Sequence, residues 1–137
     1  MSYAPSSALQ AAVYAHLSTD AGLQALVGTH IYDAAPSGQT PPTYVSLGEE
    51  TVQDRSDQTG AGALHLMDIS VVTDEAGFQT AKEIAGAVSD LLVDADLPLT
   101  RGSLVYLRFE RAVARRVKEA GARRIDLRFR ARVDDNG

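Results

Sequence analysis

The stretches "SLVYLRFERAV" (residues 103–113) and "IDLRFRARV" (residues 125–133) decide how this chain folds. In the first, Val105, Leu107, Phe109 and Val113 alternate with Tyr106, Arg108 and Glu110. In the second, Ile125, Leu127, Phe129, Ala131 and Val133 alternate with Asp126, Arg128, Arg130 and Arg132. A period of two is that of a strand with one buried face. Between them "VKEAGAR" (117–123) offers a three-residue loop, Glu119-Ala120-Gly121, with Gly121 in the left-handed position of a bulged hairpin turn. This register sets Phe109 opposite Ala131 and Val113 opposite Leu127 on the buried face, and Glu110 opposite Arg130 on the other. A slip of one residue would drive arginines into the core.

Upstream, "TYVSLGEETVQD" (43–54) and "ALHLMDISVVT" (63–73) are two further strand candidates. Met67, Ile69 and Val71 alternate with Asp68 and Ser70, so one face is buried. The polar stretch "RSDQTGAG" (55–62) between them is the tip of a long antiparallel hairpin. "HIYDAAP" (30–36) is a short strand ended by Pro36, and "SGQTPP" (37–42) a loop.

Three segments have helical spacing. Ser7 and Gln10 suit a capping box for a helix to about residue 18, with Leu9, Val13 and Leu17 on its apolar stripe. Asp20 is placed to cap a second helix that Gly28 stops after Val27. Asp74 can cap a third, running to about Leu92, with Phe78, Ala81, Ala85, Val88 and Leu92 on one face. The order α-α-β-β-β-α-β-β predicts an α+β fold, a largely antiparallel sheet with helices packed on one face. Residues 7–133 form a single domain on this reading, between flexible residues 1–6 and 134–137.

The chain has 137 residues, enough for one core. Without cysteine there is no disulfide framework, thiol nucleophile or thiolate metal site. No apolar run reaches the roughly 18 residues a membrane helix needs, and "MSYAPSSALQ" lacks the basic start and apolar run of a secretory signal. Synthesis and folding in the cytoplasm, with no membrane partner, are the expectation. Charge is unevenly spread: residues 1–100 carry thirteen acidic side chains against two basic, and residues 101–137 eleven basic against five acidic. Such asymmetry suits a subunit whose acidic side meets the basic side of an identical neighbour. Net acidity (−5) disfavours tight nonspecific duplex binding.

Glu49, Glu50, Asp54 and Asp57 are the obvious candidates for acid–base or metal chemistry. In extended chain Glu49 and Glu50 point to opposite faces, and "DRSDQTG" lacks the closing Glu of a calcium loop. The glycines of "GAGALH" lead into a strand, whereas a phosphate loop leads into a helix. His16, His30 and His65 have no metal-ligand spacing, and no serine sits in a nucleophile elbow. Neither catalytic residues, nor a cofactor, nor a metal site is expected. Arg108, Arg128, Arg130 and Arg132 share a strand face that could grip phosphates or pair with carboxylates of another subunit; with Tyr106 as its only aromatic, that face makes a poor base-stacking platform.

The succession of "ALQAAVYAHLSTDAGLQALVGTHIYDAAP", "TYVSLGEETVQDRSDQTGAGALHLMDISVVT", "AKEIAGAVSDLL" and "RGSLVYLRFE" with its closing "RFRARV" resembles the tail-completion, or tail-terminator, proteins of long-tailed phages and gene transfer agents. The resemblance runs over roughly residues 7 to 133. It implies a non-enzymatic virion protein, assembled in the host cytoplasm, that forms a ring, usually a hexamer, at the head-proximal end of the tail. The ring would stop tail-tube polymerisation and join the tail tube protein to the head connector (adaptor or stopper), while DNA passes through the lumen unread. The hairpin tip, Asp54, Arg55, Ser56, Asp57, Gln58 and Thr59, would then contact a neighbouring subunit or the tube, ordering on assembly. Arg108, Glu110, Arg128, Arg130 and Arg132 would lie at an interface or the lumen. The competing reading is a small ligand-binding or enzymatic α+β domain whose mobile hairpin loop closes over a ligand.

Overall fold

The structure, a computed structural model, describes residues 3–34, 38, 40–56, 60–118 and 121–135. Along the chain lie α1 (Pro5–Ser18), α2 (Ala21–Val27), β1 (Ile31–Tyr32), β2 (Thr43–Asp54), β3 (Gly62–Thr73), α3 (Gln79–Leu92), β4 (Ser103–Val117) and β5 (Ala122–Asp134). The strands form one sheet in the order β1-β2-β3-β5-β4. Only the two-residue β1 runs parallel to its neighbour; the other pairings are antiparallel. This is the α+β class and element order that the sequence predicts.

The core lies between one sheet face and the helices. Leu9, Val13 and Leu17 of α1 and Ala81, Ile84, Val88 and Leu92 of α3 meet Val45, Ile69, Val71, Leu127 and Phe129 of the sheet. Each such Leu, Ile, Val or Phe contributes about 1.5–3 kcal/mol through removal of apolar surface from water. β3 and β5 are flanked by strands on both sides and covered on this face; β5 alternates cleanly in burial from Ile125 onward, whereas in β3 Leu64 and Ser70 of the opposite face are buried as well.

α2 follows its sequence signals: Asp20 accepts from the Leu23 amide at 2.9 Å, and Gly28 terminates it at φ +62. The other two helix starts differ from expectation. α1 begins at Pro5, whose fixed φ suits the first helical turn, and has no side-chain cap. Ser7 and Gln10 form no capping box, because Gln10 Nε2 donates instead to Asp33 Oδ1 at 2.9 Å. Asp74 does not cap α3; a turn with Gly77 at φ +79 intervenes, and the helix starts after Phe78.

The β4–β5 hairpin corrects the expected register. Val117 pairs with Ala122, so four residues separate the strands, not three; Gly121 is left-handed at φ +61, as the turn requires. A bulge at Glu110 then shifts the ladder again, so that Phe109 faces Phe129, Leu107 faces Ala131 and Ala112 faces Leu127. Val113 falls on the opposite face, across from Asp126. Of the four expected core residues of β4 only Leu107 is buried; Val105, Phe109 and Val113 are 55%, 45% and 44% exposed. The reason is position: β4 is the edge strand, and from Arg108 to Arg116 every residue is exposed.

Candidate assembly interface

The β2–β3 hairpin places Asp54, Arg55 and Ser56 at one end of the sheet, all exposed. Asp54 Oδ1 accepts from the Ser56 amide at 3.0 Å and from Ser56 Oγ at 2.7 Å, an Asx-type turn that starts the tip. These two bonds hold the Asp54 carboxyl below its ordinary range. Arg55 donates to Gln53 Oε1 at 2.6 Å, and the Arg55 amide donates to the Gly62 carbonyl at 2.8 Å. Asp57, Gln58 and Thr59 lie outside the described residues.

The sheet face away from the helices carries most of the basic side chains of β4 and β5, Arg116 and Arg123 lying on the other face. Arg128 Nε donates to Asp68 Oδ1 at 2.9 Å, raising its pKa above the ordinary value. Arg132 reaches Asp134 at 3.0 Å, and Arg130 lies 3.9 Å from the bulged Glu110 although its ladder partner is Arg108. The Arg108 guanidinium sits 4.1 Å from the Tyr106 ring centroid. Asp126 accepts from Ser70 Oγ at 2.6 Å and Arg124 Nε at 2.8 Å. Arg128, Arg130 and Arg132 are therefore neutralised within their own chain, whereas Arg108, Arg111 and Arg116 form no ion pair with another described residue.

One polar cluster was not anticipated. His65, fully buried, lies with Nδ1 3.3 Å from Glu50 Oε2. Glu50 Oε1 accepts from Tyr3 Oη at 2.8 Å and Ser6 Oγ at 2.7 Å. The available signal was parity: His65 shares the inward face with Met67, Ile69 and Val71, and a buried imidazole needs a partner. Serine and histidine both address the carboxylate, so the imidazole is not placed to draw a proton from the hydroxyl. This is a structural clasp between the N-terminal turn of α1 and the sheet. Among the described residues no group of His, Asp or Glu is arranged to hold a metal ion, and no helix is long and apolar enough to cross a membrane.

The exposed end of the β2–β3 hairpin and the exposed, arginine-bearing edge strand β4 are surfaces open to another chain. The chain matches the family model of tail completion protein gp17 over residues 11–134 and belongs to that family, a class of virion structural proteins and not of enzymes. It is similar to a chain of a solved structure described as the virion of a native gene transfer agent particle. The two are 65% identical with a TM-score of 0.90, the match covering 97% of this chain and 99% of that one. No curated protein matches it.

Proposed function

We propose that this chain completes the tail of a gene transfer agent or closely related phage-like particle. In this role it forms a ring, a hexamer in the simplest case, at the head-proximal end of the tail tube. The ring stops tube polymerisation and presents a docking surface for the head connector, and DNA crosses its lumen without being read. The observation that carries this reading is the near full-length, 65% identical match to a chain of a gene transfer agent virion, alongside the family match over residues 11–134. The exposed residues Asp54, Arg55 and Ser56, together with Asp57, Gln58 and Thr59, contact a neighbouring subunit or the tube. Arg108, Glu110, Arg128, Arg130 and Arg132 face a subunit boundary or the lumen.

Electron microscopy of particles from a producer strain lacking the gene tests the proposal. Tails of uncontrolled length, or finished tails beside unjoined DNA-filled heads, are expected. Normal joined particles would overturn it.

A further inference from the structure

Two stretches of strand edge are open in this subunit, and they complement each other. On β2, β1 pairs only with Val45 and Ser46, so among the described residues no strand covers the outer edge of Leu47–Asp54. On β4, the α3–β4 connection closes the edge at Leu107, whose carbonyl accepts from the Asp94 amide at 2.9 Å. From Phe109 to Val117 no described strand follows on that side. Past the bulge between Leu47 and Glu50 on β2 and the one at Glu110 on β4, the regular open stretches are Glu50–Asp54 and Arg111–Val117, roughly 17 and 23 Å at the rise of a β-strand. Open edges are templates for pairing with another chain.

The geometry points to sheet extension between copies: the β4 edge of one subunit pairs with the β2 edge of the next. This rests on the ring reading above and names the surfaces that would join its members. Three antiparallel steps separate β2 from β4, so the two run in opposite senses. Copies related by rotation about an axis that runs along the strands keep those senses, and in such a ring their β4 and β2 edges meet antiparallel. The contact is heterologous and closes when the rotation does.

Charge selects this pairing over its alternatives. The open part of β4 carries Arg111 and Arg116, which form no ion pair with another described residue, and Arg115, paired with Asp126, against Glu110; the open part of β2 carries Glu49 and Asp54 and no basic residue, Glu50 being turned inward to His65. Two β4 edges would set arginines against arginines, and two β2 edges carboxylates against carboxylates, both unfavourable across a strand pair. Phe109 and Val113, left 45% and 44% exposed in the single subunit, lie on opposite faces of the same edge, where an added strand covers both.

Because the chain has no cysteine, disulfide trapping in assembled particles is a clean test. Thr51→Cys is combined in turn with Arg111→Cys, Val113→Cys and Arg115→Cys, since a bridge forms only where Cα atoms come within about 7 Å. The particles are oxidised, denatured and resolved without reductant. At least one pair should give a ladder of covalent multimers, and each single variant none. A dimer from Val113→Cys alone would mean like edges meet and overturns the proposal. With several copies per tail but no ladder from any pair, the edge contact fails and the ring reading survives; one copy per tail removes both. Should the cysteine variants yield no particles, Arg111→Glu with Arg115→Glu, folded by circular dichroism, is expected to cut particle yield at least tenfold. An unchanged yield counts against the proposal.

Discussion

His65 Nδ1 lies 3.3 Å from Glu50 Oε2, inside a subunit where the histidine is fully buried and the same carboxylate also holds Tyr3 and Ser6. Glu50→Ala strips the buried His65 and Ser6, and the exposed Tyr3, of their partner at once. A loss of about 2–3 kcal/mol is expected, the cost of leaving buried polar groups unsatisfied, together with faster amide exchange in the first turn of α1. Glu50→Gln retains hydrogen-bonding capacity and should lose less. Urea denaturation of the three proteins measures both differences; equal stability of wild type and Glu50→Ala would show that the clasp contributes nothing.

Asp126 makes a pH prediction. Burial pushes its carboxyl up, but hydrogen bonds from Ser70 and Arg124 and the charges of Arg124 and Arg115 outweigh that and hold it below the ordinary value. A depressed folded pKa contributes stability above the unfolded value of about 3.9. That contribution disappears as pH falls through the lower folded pKa. The stability gap between wild type and Asp126→Asn should therefore be constant above about pH 5 and shrink below about pH 4. A gap that widens on acidification has the wrong sign for this account.

The helix caps separate cleanly. Asp20→Ala should cost about 1 kcal/mol, the usual value of an N-cap, since it removes the 2.9 Å bond from the Leu23 amide. Ser7→Ala should change stability by less than about 0.5 kcal/mol, because Ser7 lies inside α1 and caps nothing. Thermal unfolding of both variants distinguishes them, and a larger loss from Ser7→Ala would restore the capping box.

Phe129 and Phe109 face each other across the ladder with ring centroids 6.0 Å apart, edge to face. Phe129 is fully buried, so Phe129→Ala should cost about 3–5 kcal/mol. Phe109→Ala loses half-exposed area and the ring contact, about 1 kcal/mol. Denaturant midpoints at matched slope report both. Comparable losses would mean that β4 is covered in the isolated subunit.

Replacing Arg55–Gly60 with an Asn-Gly turn, which suits a two-residue hairpin, should leave the thermal midpoint of the subunit within a few degrees of wild type. Particle assembly should fall sharply, because the tip is proposed to touch another chain. Full yield with the shortened hairpin would remove the tip from the interface.

Particular elements show what local sequence can and cannot carry. Asp20 and Gly28 bound α2 because both signals act within four residues of the helix end. Met67, Ile69 and Val71 turned inward as their alternation requires, since β3 has a strand on each side. The β4–β5 register escaped because alternation does not count turn residues, and the Glu110 bulge moves the ladder once more without returning a polar side chain to the core. β4 and β5 have the same binary pattern, yet only β5 is buried, because being an edge is a property of the assembled sheet. Glu50 met His65 fifteen positions away and Ser6 forty-four away, distances that no local pattern spans.

The position of β5 has a consequence in time. β5, the last of the described strands in chain order, lies between β3 and β4, and both of those ladders depend on it. While residues 122–134 are still within the ribosome, β3 and β4 each lack their common neighbour, and the inward side chains of Phe129, Leu127 and Ile125 are missing from the core. Non-local pairing of this kind is slow because the chain must close long loops first. A chain cut short before Ala122 therefore has no centre to its sheet and is expected not to fold.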